Sequence, residues 1–167
     1  EERNAVFSDD AFALRLYRTF ASTEVALYGY HGYWSTPEGF DPRAGRPFYP
    51  ELSVWGASAR RPLAGGIASV EAGYYDSRQD RSGNDPNIRN SEVRLLAGFE
   101  REIVPEFTGS VQYYLEWMQD YDAYERLAGP YARDEYRHLL TLRLTRQLMN
   151  QNLVLSLFVY YSPSDRD

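Results

Sequence analysis

The chain has 167 residues, a net charge of −6 and a pI near 5.0, which fits one domain and argues against nucleic-acid binding through a basic face. It has no cysteine, which excludes disulfides and thiolate metal sites, and its 15 tyrosines are many for a soluble domain. The chain has no stretch of about eighteen apolar residues, so no transmembrane helix is predicted. A transmembrane barrel is not excluded, because it exposes apolar side chains to lipid only at every second position.

The chain begins with polar residues, and residues 1–4 carry no basic segment followed by an apolar one, so no signal peptide is predicted. After this start, apolar and polar residues alternate with period two. Because side chains point alternately to the two faces of a strand, each alternating run predicts a β-strand. The eight predicted strands cover residues 12–17, 24–34, 51–60, 67–75, 92–100, 107–117, 137–148 and 153–161. They form an up-and-down meander in which short turns alternate with long loops at residues 35–50, 77–90 and 119–135. The Pro and Gly content of the first long loop predicts no regular element there, and no amphipathic helix is predicted anywhere.

The last two strands, at residues 137–161, show the pattern most clearly. Leu140, Leu142 and Leu144 share one face, and a second alternating run follows the Asn-rich turn at residues 149–152, as is typical of a β-hairpin. Each strand has about ten residues, enough to cross a bilayer at a tilt of roughly 45°. Aromatic residues recur at the long-loop ends of the strands, as at a membrane–water interface. The predicted interface aromatics are Tyr33, Trp34, Tyr74, Tyr113, Trp117 and Tyr161.

Except at the strand ends, charged residues are predicted to lie opposite the aliphatic face, which carries no charge in mid-strand. A lipid-facing Arg or Lys near the bilayer midplane costs about 2–4 kcal/mol, so a transmembrane barrel must exclude charge from that face. In the third strand, Leu52 and Val54 are assigned to the aliphatic face and Glu51 to the charged face. The predicted pore-lining residues are Arg15, Glu24, Glu51, Glu71, Glu92, Arg94, Glu116 and Arg143. Their excess of glutamate predicts a mild cation preference in a pore, with ion pairs that only stabilise a barrel interior as the alternative.

A soluble β-barrel or sandwich also separates apolar from charged faces, but it turns the apolar face inward. Alternation alone does not distinguish the two architectures. Strands longer than the usual five or six residues, strictly alternating loop lengths and aromatics at one level favour the membrane barrel. The soluble alternative is a β-barrel that binds a small apolar ligand.

This pattern resembles the outer-membrane β-barrel proteins of Gram-negative bacteria, in particular porin-like channels, most clearly at residues 111–117 and 140–162. The resemblance implies an all-β, antiparallel up-and-down transmembrane β-barrel over residues 1–167, in the bacterial outer membrane, with short periplasmic turns and long outside loops. Its implied partners are outer-membrane lipid, lipopolysaccharide and small solutes that pass through a polar lumen. Two further possibilities remain, namely assembly into a homo-oligomer and a structural barrel without an open pore.

One feature departs from that family, because both ends of the chain fall on the long-loop side and the last residue is Asp167. We therefore expect a segment of a larger barrel, or a chain without its flanking strands. A closed barrel of eight strands would be filled by side chains, whereas the same face would line a channel in a barrel of about fourteen to eighteen strands.

No catalytic residue, metal site or cofactor is predicted. An enzyme would need a nucleophile, a base and an orienting group in contact, and the two histidines, His31 and His138, lie near strand ends in the aliphatic register. Interfacial positions are expected for both. The loop at residues 76–85 offers oxygen ligands but lacks the spacing of a calcium loop and contains Arg78 and Arg81.

Overall fold

The computed structural model describes residues 10–164, so residues 1–4, considered above for a signal peptide, lie outside it. The strands are β1 (Phe12–Phe20), β2 (Thr23–Tyr33), β3 (Gly39–Asp41), β4 (Arg46–Phe48), β5 (Glu51–Leu63), β6 (Gly66–Ser77), β7 (Glu92–Val104), β8 (Phe107–Met118), β9 (Tyr136–Leu148) and β10 (Leu153–Tyr161). Eight of them form one antiparallel sheet in the order β1-β2-β5-β6-β7-β8-β9-β10, which confirms the predicted all-β meander. Within residues 10–164, no ladder joins β1 to β10, so the sheet has two edges.

The hairpin between β5 and β6 shows why the short turns are tight. Leu63 pairs with Gly66, which leaves Ala64 and Gly65 as a two-residue loop with φ values of 49° and 74°. Positive φ at both central positions is the mark of a type I′ turn, whose twist matches that of the flanking strands. Such a turn keeps two long strands in one register, and the face assignment of every side chain depends on that register.

One face of the sheet, termed the aliphatic face, carries a continuous band of apolar side chains. In the cross-strand register, Leu16 pairs with Leu27, Val111 with Leu142, and Leu144 with Leu157. These side chains are not buried against another layer. Leu16 is 59% exposed and Leu157 is 57% exposed, as are many of their neighbours on this face.

The opposite face, termed the charged face, is the concave one. Ala26 and Leu52 on this face are only 1% and 4% exposed. A surface cavity of about 360 Å³ on this face is lined by residues from β2 across to β8, including Tyr28, Glu71 and Tyr114. The sheet therefore curves around its charged side and leaves the leucines outside.

The register corrects the assignment of the third predicted strand, which is β5. Gly32 pairs with Leu52 and Tyr33 pairs with Glu51, so Leu52 lies on the charged face and Glu51 on the aliphatic face. Local alternation is ambiguous in β5, since Trp55 and two alanines share the face of Glu51 while Leu52 and Val54 share the other. Only the hydrogen-bonded partner strand determines which face is which.

Two of the long loops contain regular elements that the sequence analysis did not predict. In the first loop, β3 and β4 form a small hairpin, and Asp41 accepts hydrogen bonds from the backbone N–H groups of Arg43 and Ala44 at its turn. The third loop contains the helix α1 (Tyr121–Ala128), which buries Tyr124. No helix in residues 10–164 is long and apolar enough to cross a membrane.

Candidate functional site

The most elaborate group of side chains lies on the charged face, at the long-loop end of the central strands. Strands β7 and β8 contribute Glu92, Arg94 and Glu116, and the register places Arg94 directly opposite Glu116. The long loops add Glu38 and Arg89. These five residues are termed the arginine–glutamate cluster.

Each guanidinium in the cluster contacts more than one carboxylate. Arg89 lies 2.8 Å from Glu38, 3.1 Å from Glu92 and 3.6 Å from Glu116 between nitrogen and oxygen atoms. Arg94 donates from Nε to Glu92 Oε1 at 2.8 Å and approaches Glu116 at 3.8 Å. The side chain of Glu92 is only 5% exposed, and its two arginine partners offset the cost of removing that carboxylate from water.

Aromatic rings hold the two arginines of the cluster in place. The Arg94 guanidinium lies 4.0 Å from the centre of the Tyr75 ring, and that of Arg89 lies 5.0 Å from the Trp34 ring. The Trp34 and Tyr75 rings stack at 5.9 Å. A cation over the face of an aromatic ring is attracted by its negative π-face, which is a stronger effect where water is excluded. The arginines are thus fixed between rings and carboxylates.

This packing corrects the prediction that Trp34 is an interface aromatic. Trp34 follows the last residue of β2, and its backbone N–H donates to the carbonyl of Pro50 at 2.9 Å. The chain therefore turns inward at this point, and the indole is 4% exposed beneath the cluster. The sequence did not predict the burial of Trp34, because Trp34 lies one residue beyond the end of β2. Outside the paired strand, alternation no longer indicates the direction of a side chain.

The first two long loops are tied together above the cluster. The backbone N–H of Arg89 donates to the carbonyl of Glu38 at 3.0 Å, and that of Phe40 donates to the carbonyl of Asn87 at 2.8 Å. Burial raises the pKa of Glu38, but the hydrogen bond from Thr36 and the positive charge of Arg89 outweigh it and hold that pKa below its ordinary value. Glu38 is therefore ionised at neutral pH and pairs with Arg89 at the junction of the loops.

The carboxylates of the loop at residues 76–85 accept hydrogen bonds or form ion pairs within the loop itself. Asp80 accepts hydrogen bonds from the backbone N–H groups of Asn84 and Asp85 at 3.1 and 2.7 Å. Asp76 forms an ion pair with Arg81 at 3.0 Å. In the part of the chain that the structure describes, no three His, Asp or Glu side chains are grouped as metal ligands.

The cluster borders an open cavity of about 630 Å³ on the concave side, which Tyr30, Ser35 and Thr36 also line. A solute in this space would meet alternating positive and negative groups on one wall. Fixed charges of both signs on one wall produce an electric field in this space, which would orient a dipolar molecule and disfavour an apolar one.

Seven of the eight predicted lining residues lie on the charged face, and three of them belong to the cluster. Arg15 and Glu24 form a separate, exposed ion pair at 2.9 Å, and Arg143 lies 5.2 Å from the Phe158 ring on β10. Register also brings Arg60 and Arg137 to this face and removes Glu51, so positive and negative side chains are nearly balanced there. The expected excess of glutamate on this face is therefore reduced to one residue. The strands of the eight-stranded sheet contribute six glutamates and five arginines to it, namely Glu24, Glu71, Glu92, Glu100, Glu102 and Glu116, and Arg15, Arg60, Arg94, Arg137 and Arg143.

Sequence reasoning did not identify Glu38 and Arg89 as members of the site. Both lie in loops, where no period-two pattern indicates the direction of a side chain. The backbone hydrogen bonds between the two loops bring them together, although they are 51 residues apart in the chain. A basic residue close to the start of β7 was the only available signal, and it is too common to be specific.

The other predicted aromatics lie on the aliphatic face near the long loops. Trp117 stacks on Tyr136 at 5.8 Å, and the hydroxyl of Tyr113 lies 2.7 Å from Nδ1 of His138. Both histidines lie on this face, as their sequence register indicated. The remaining predicted residues on this face are Tyr33, Tyr74 and Tyr161.

Comparison with protein-family models, with curated proteins and with solved structures finds no match for this chain.

Proposed function

We propose that this chain forms part or all of the wall of an outer-membrane β-barrel, through whose polar lumen small solutes pass. The observation that carries the proposal is the exposed, uncharged band along the middle of the aliphatic face. Leu14, Leu27 and Val70 are each more than half exposed, on three different strands. A water-soluble sheet would cover such a band with a second layer, whereas lipid covers it in a barrel.

The concave face supports the same proposal. Its charged and tyrosine side chains surround open space, and its most buried carboxylate, that of Glu92, lies there and not on the leucine side. A soluble barrel that binds an apolar ligand would have the opposite arrangement, with aliphatic side chains facing the cavity. That alternative is disfavoured.

The unpaired edges bear on how the barrel closes. All nine residues of β1 and all nine of β10 are exposed, and an exposed edge strand of that length is ready to pair with another strand. We propose that both edges pair within the barrel, with each other or with further strands. In a barrel of more than eight strands, the arginine–glutamate cluster would narrow the lumen without filling it.

The first test is a pair of single-cysteine variants, Val70→Cys and Glu71→Cys, in a chain that has no native cysteine. These neighbours point to opposite faces of β6. With a fluorophore attached and the protein in vesicles, the label at position 70 should be quenched by a nitroxide on lipid acyl chains, and the label at position 71 by aqueous iodide. Equal iodide quenching at both positions would overturn the membrane placement.

The second test addresses solute passage separately. The full-length protein, with any further strands that close the barrel, should give discrete conductance steps in a planar bilayer, and the Arg94→Gln, Glu116→Gln double variant should change their ion selectivity. Membrane insertion without any conductance would leave a structural barrel and refute the porin-like role.

A further inference from the structure

Four arginines lie on the aliphatic face at its short-turn end, and we term them the arginine row. They are Arg18 on β1, Arg61 on β5, Arg101 on β7 and Arg146 on β9. Each strand that runs toward a short turn therefore has one. Two positions later, on the same face, each is followed by an apolar side chain. These side chains are Phe20, Leu63, Ile103 and Leu148.

The described part of the chain provides no carboxylate partner for the arginine row. Within residues 10–164, no ion pair joins one of its members to a carboxylate. Glu24, Glu100 and Glu102 are near this end of the sheet but lie on the charged face, and Glu106 lies in a turn. This rim of the aliphatic face is consequently positive.

The opposite rim of the same face has a different character. There the acidic residues Glu51 and Asp76 are paired with the loop arginines Arg78 and Arg81, at 3.7 and 3.0 Å. The aromatic and histidine side chains described above occupy the same level. The two rims thus differ in charge, so they suit two different layers of headgroups.

The height of the row agrees with a headgroup level. From His138 to Arg146 the strand extends about 27 Å, at about 3.4 Å per residue. With the tilt of about 35–45° found in transmembrane barrels, this corresponds to about 20 Å along the membrane normal, close to an apolar band of about 25 Å. An arginine at this border can extend its head into the polar layer while its stem stays in the apolar one.

We propose that the arginine row binds the phosphate groups of phospholipids in the leaflet on the short-turn side, an inference that rests on the proposed function. The planar guanidinium donates two parallel hydrogen bonds to a phosphate. Alternate strands lie about 10 Å apart, which allows each arginine a separate lipid whose acyl chains cover the neighbouring leucines. Contacts within the protein already order two of the guanidinium groups. That of Arg18 lies 4.9 Å from the centre of the Phe20 ring, and that of Arg146 donates a hydrogen bond to the carbonyl of Pro105 at 2.9 Å.

The test compares two spin-labelled lipids in vesicles that contain the protein, phosphatidylglycerol and a diacylglycerol that has the same chains but no phosphate. Electron paramagnetic resonance measures the fraction of each that is immobilised on the protein surface. The unmodified chain should favour phosphatidylglycerol about fivefold, and added salt should reduce that preference. In the quadruple variant Arg18→Gln, Arg61→Gln, Arg101→Gln, Arg146→Gln, the ratio of immobilised phosphatidylglycerol to immobilised diacylglycerol should fall close to one.

The matched control is the double variant Arg60→Gln, Arg143→Gln, which removes positive charge from the charged face of the same strands and should keep the preference. If the quadruple variant does not fold, the single variants Arg61→Gln and Arg101→Gln should each lower the preference in part. A preference that survives these changes, or that the control also loses, overturns the role of the arginine row. Absence of immobilised lipid of either kind would instead overturn the proposed membrane placement.

Discussion

Replacement of Leu142 by arginine should destabilise the membrane-embedded protein far more than the same replacement at Thr141. Leu142 lies midway between His138 and Arg146 along β9, about 14 Å from each, which places it near the middle of the aliphatic band. Its direct cross-strand partners, Val111 and Val159, are both apolar and offer no charge to pair with an arginine. At that depth a lipid-facing arginine costs about 2–4 kcal/mol, and its side chain is too far from either rim to reach headgroups fully.

Reversible unfolding by guanidinium from thin-bilayer vesicles measures this cost as a change in the free energy of unfolding. Thr141→Arg is the control, because Thr141 points to the charged face between Gln112 and Tyr160, and we expect it to change that free energy by less than about 0.5 kcal/mol. If both variants behave alike, the aliphatic face does not meet lipid.

Two further outcomes are expected. Because the folded-state pKa of Glu38 lies below its ordinary value of 4.5, the ion pair with Arg89 stabilises the loops above that value and is lost as pH falls through the lowered pKa. Hydrogen-exchange protection of the Arg89 amide, corrected for intrinsic rates, should be constant from about pH 7 to 5 and decline below about 4.5, and Glu38→Gln should remove this pH dependence. Gly66→Ala should lower the free energy of unfolding by about 1–3 kcal/mol, because its new methyl group would overlap the carbonyl oxygen of Glu100. Gly29→Ala, whose methyl group would lie 3.6 Å from the Trp55 ring, should be nearly neutral in the same unfolding experiment, and equal losses would contradict the packing described for Gly66.

Much of the sheet could be read from the sequence, since alternation is a local property of a strand. The Leu140, Leu142 and Leu144 pattern has an unambiguous apolar face, and its predicted hairpin partner is β10. In β5 the same reasoning failed, because Leu52 and Trp55 offer apolar residues on both faces. The prediction for that strand needed the register with β2, which no local pattern contains.

The candidate site was only partly accessible for a related reason. Glu92, Arg94 and Glu116 lie in strands, so their alternation indicated their face. Glu38 and Arg89 reach the cluster through bonds between two loops, and the side-chain direction of a loop residue has no periodic signal.

By itself, the sequence determined that eight strands follow one another as a meander, with the aliphatic residues and the mid-strand charges on opposite sides in every strand except β5, because both properties depend only on neighbouring residues and turn length. Tertiary structure decided which side became concave, where Trp34 is buried, and that Arg18, Arg61, Arg101 and Arg146 form a row at one level. These properties depend on the pairing of strands and on loop contacts between residues far apart in the chain, and such pairings are defined only when the whole sheet is assembled.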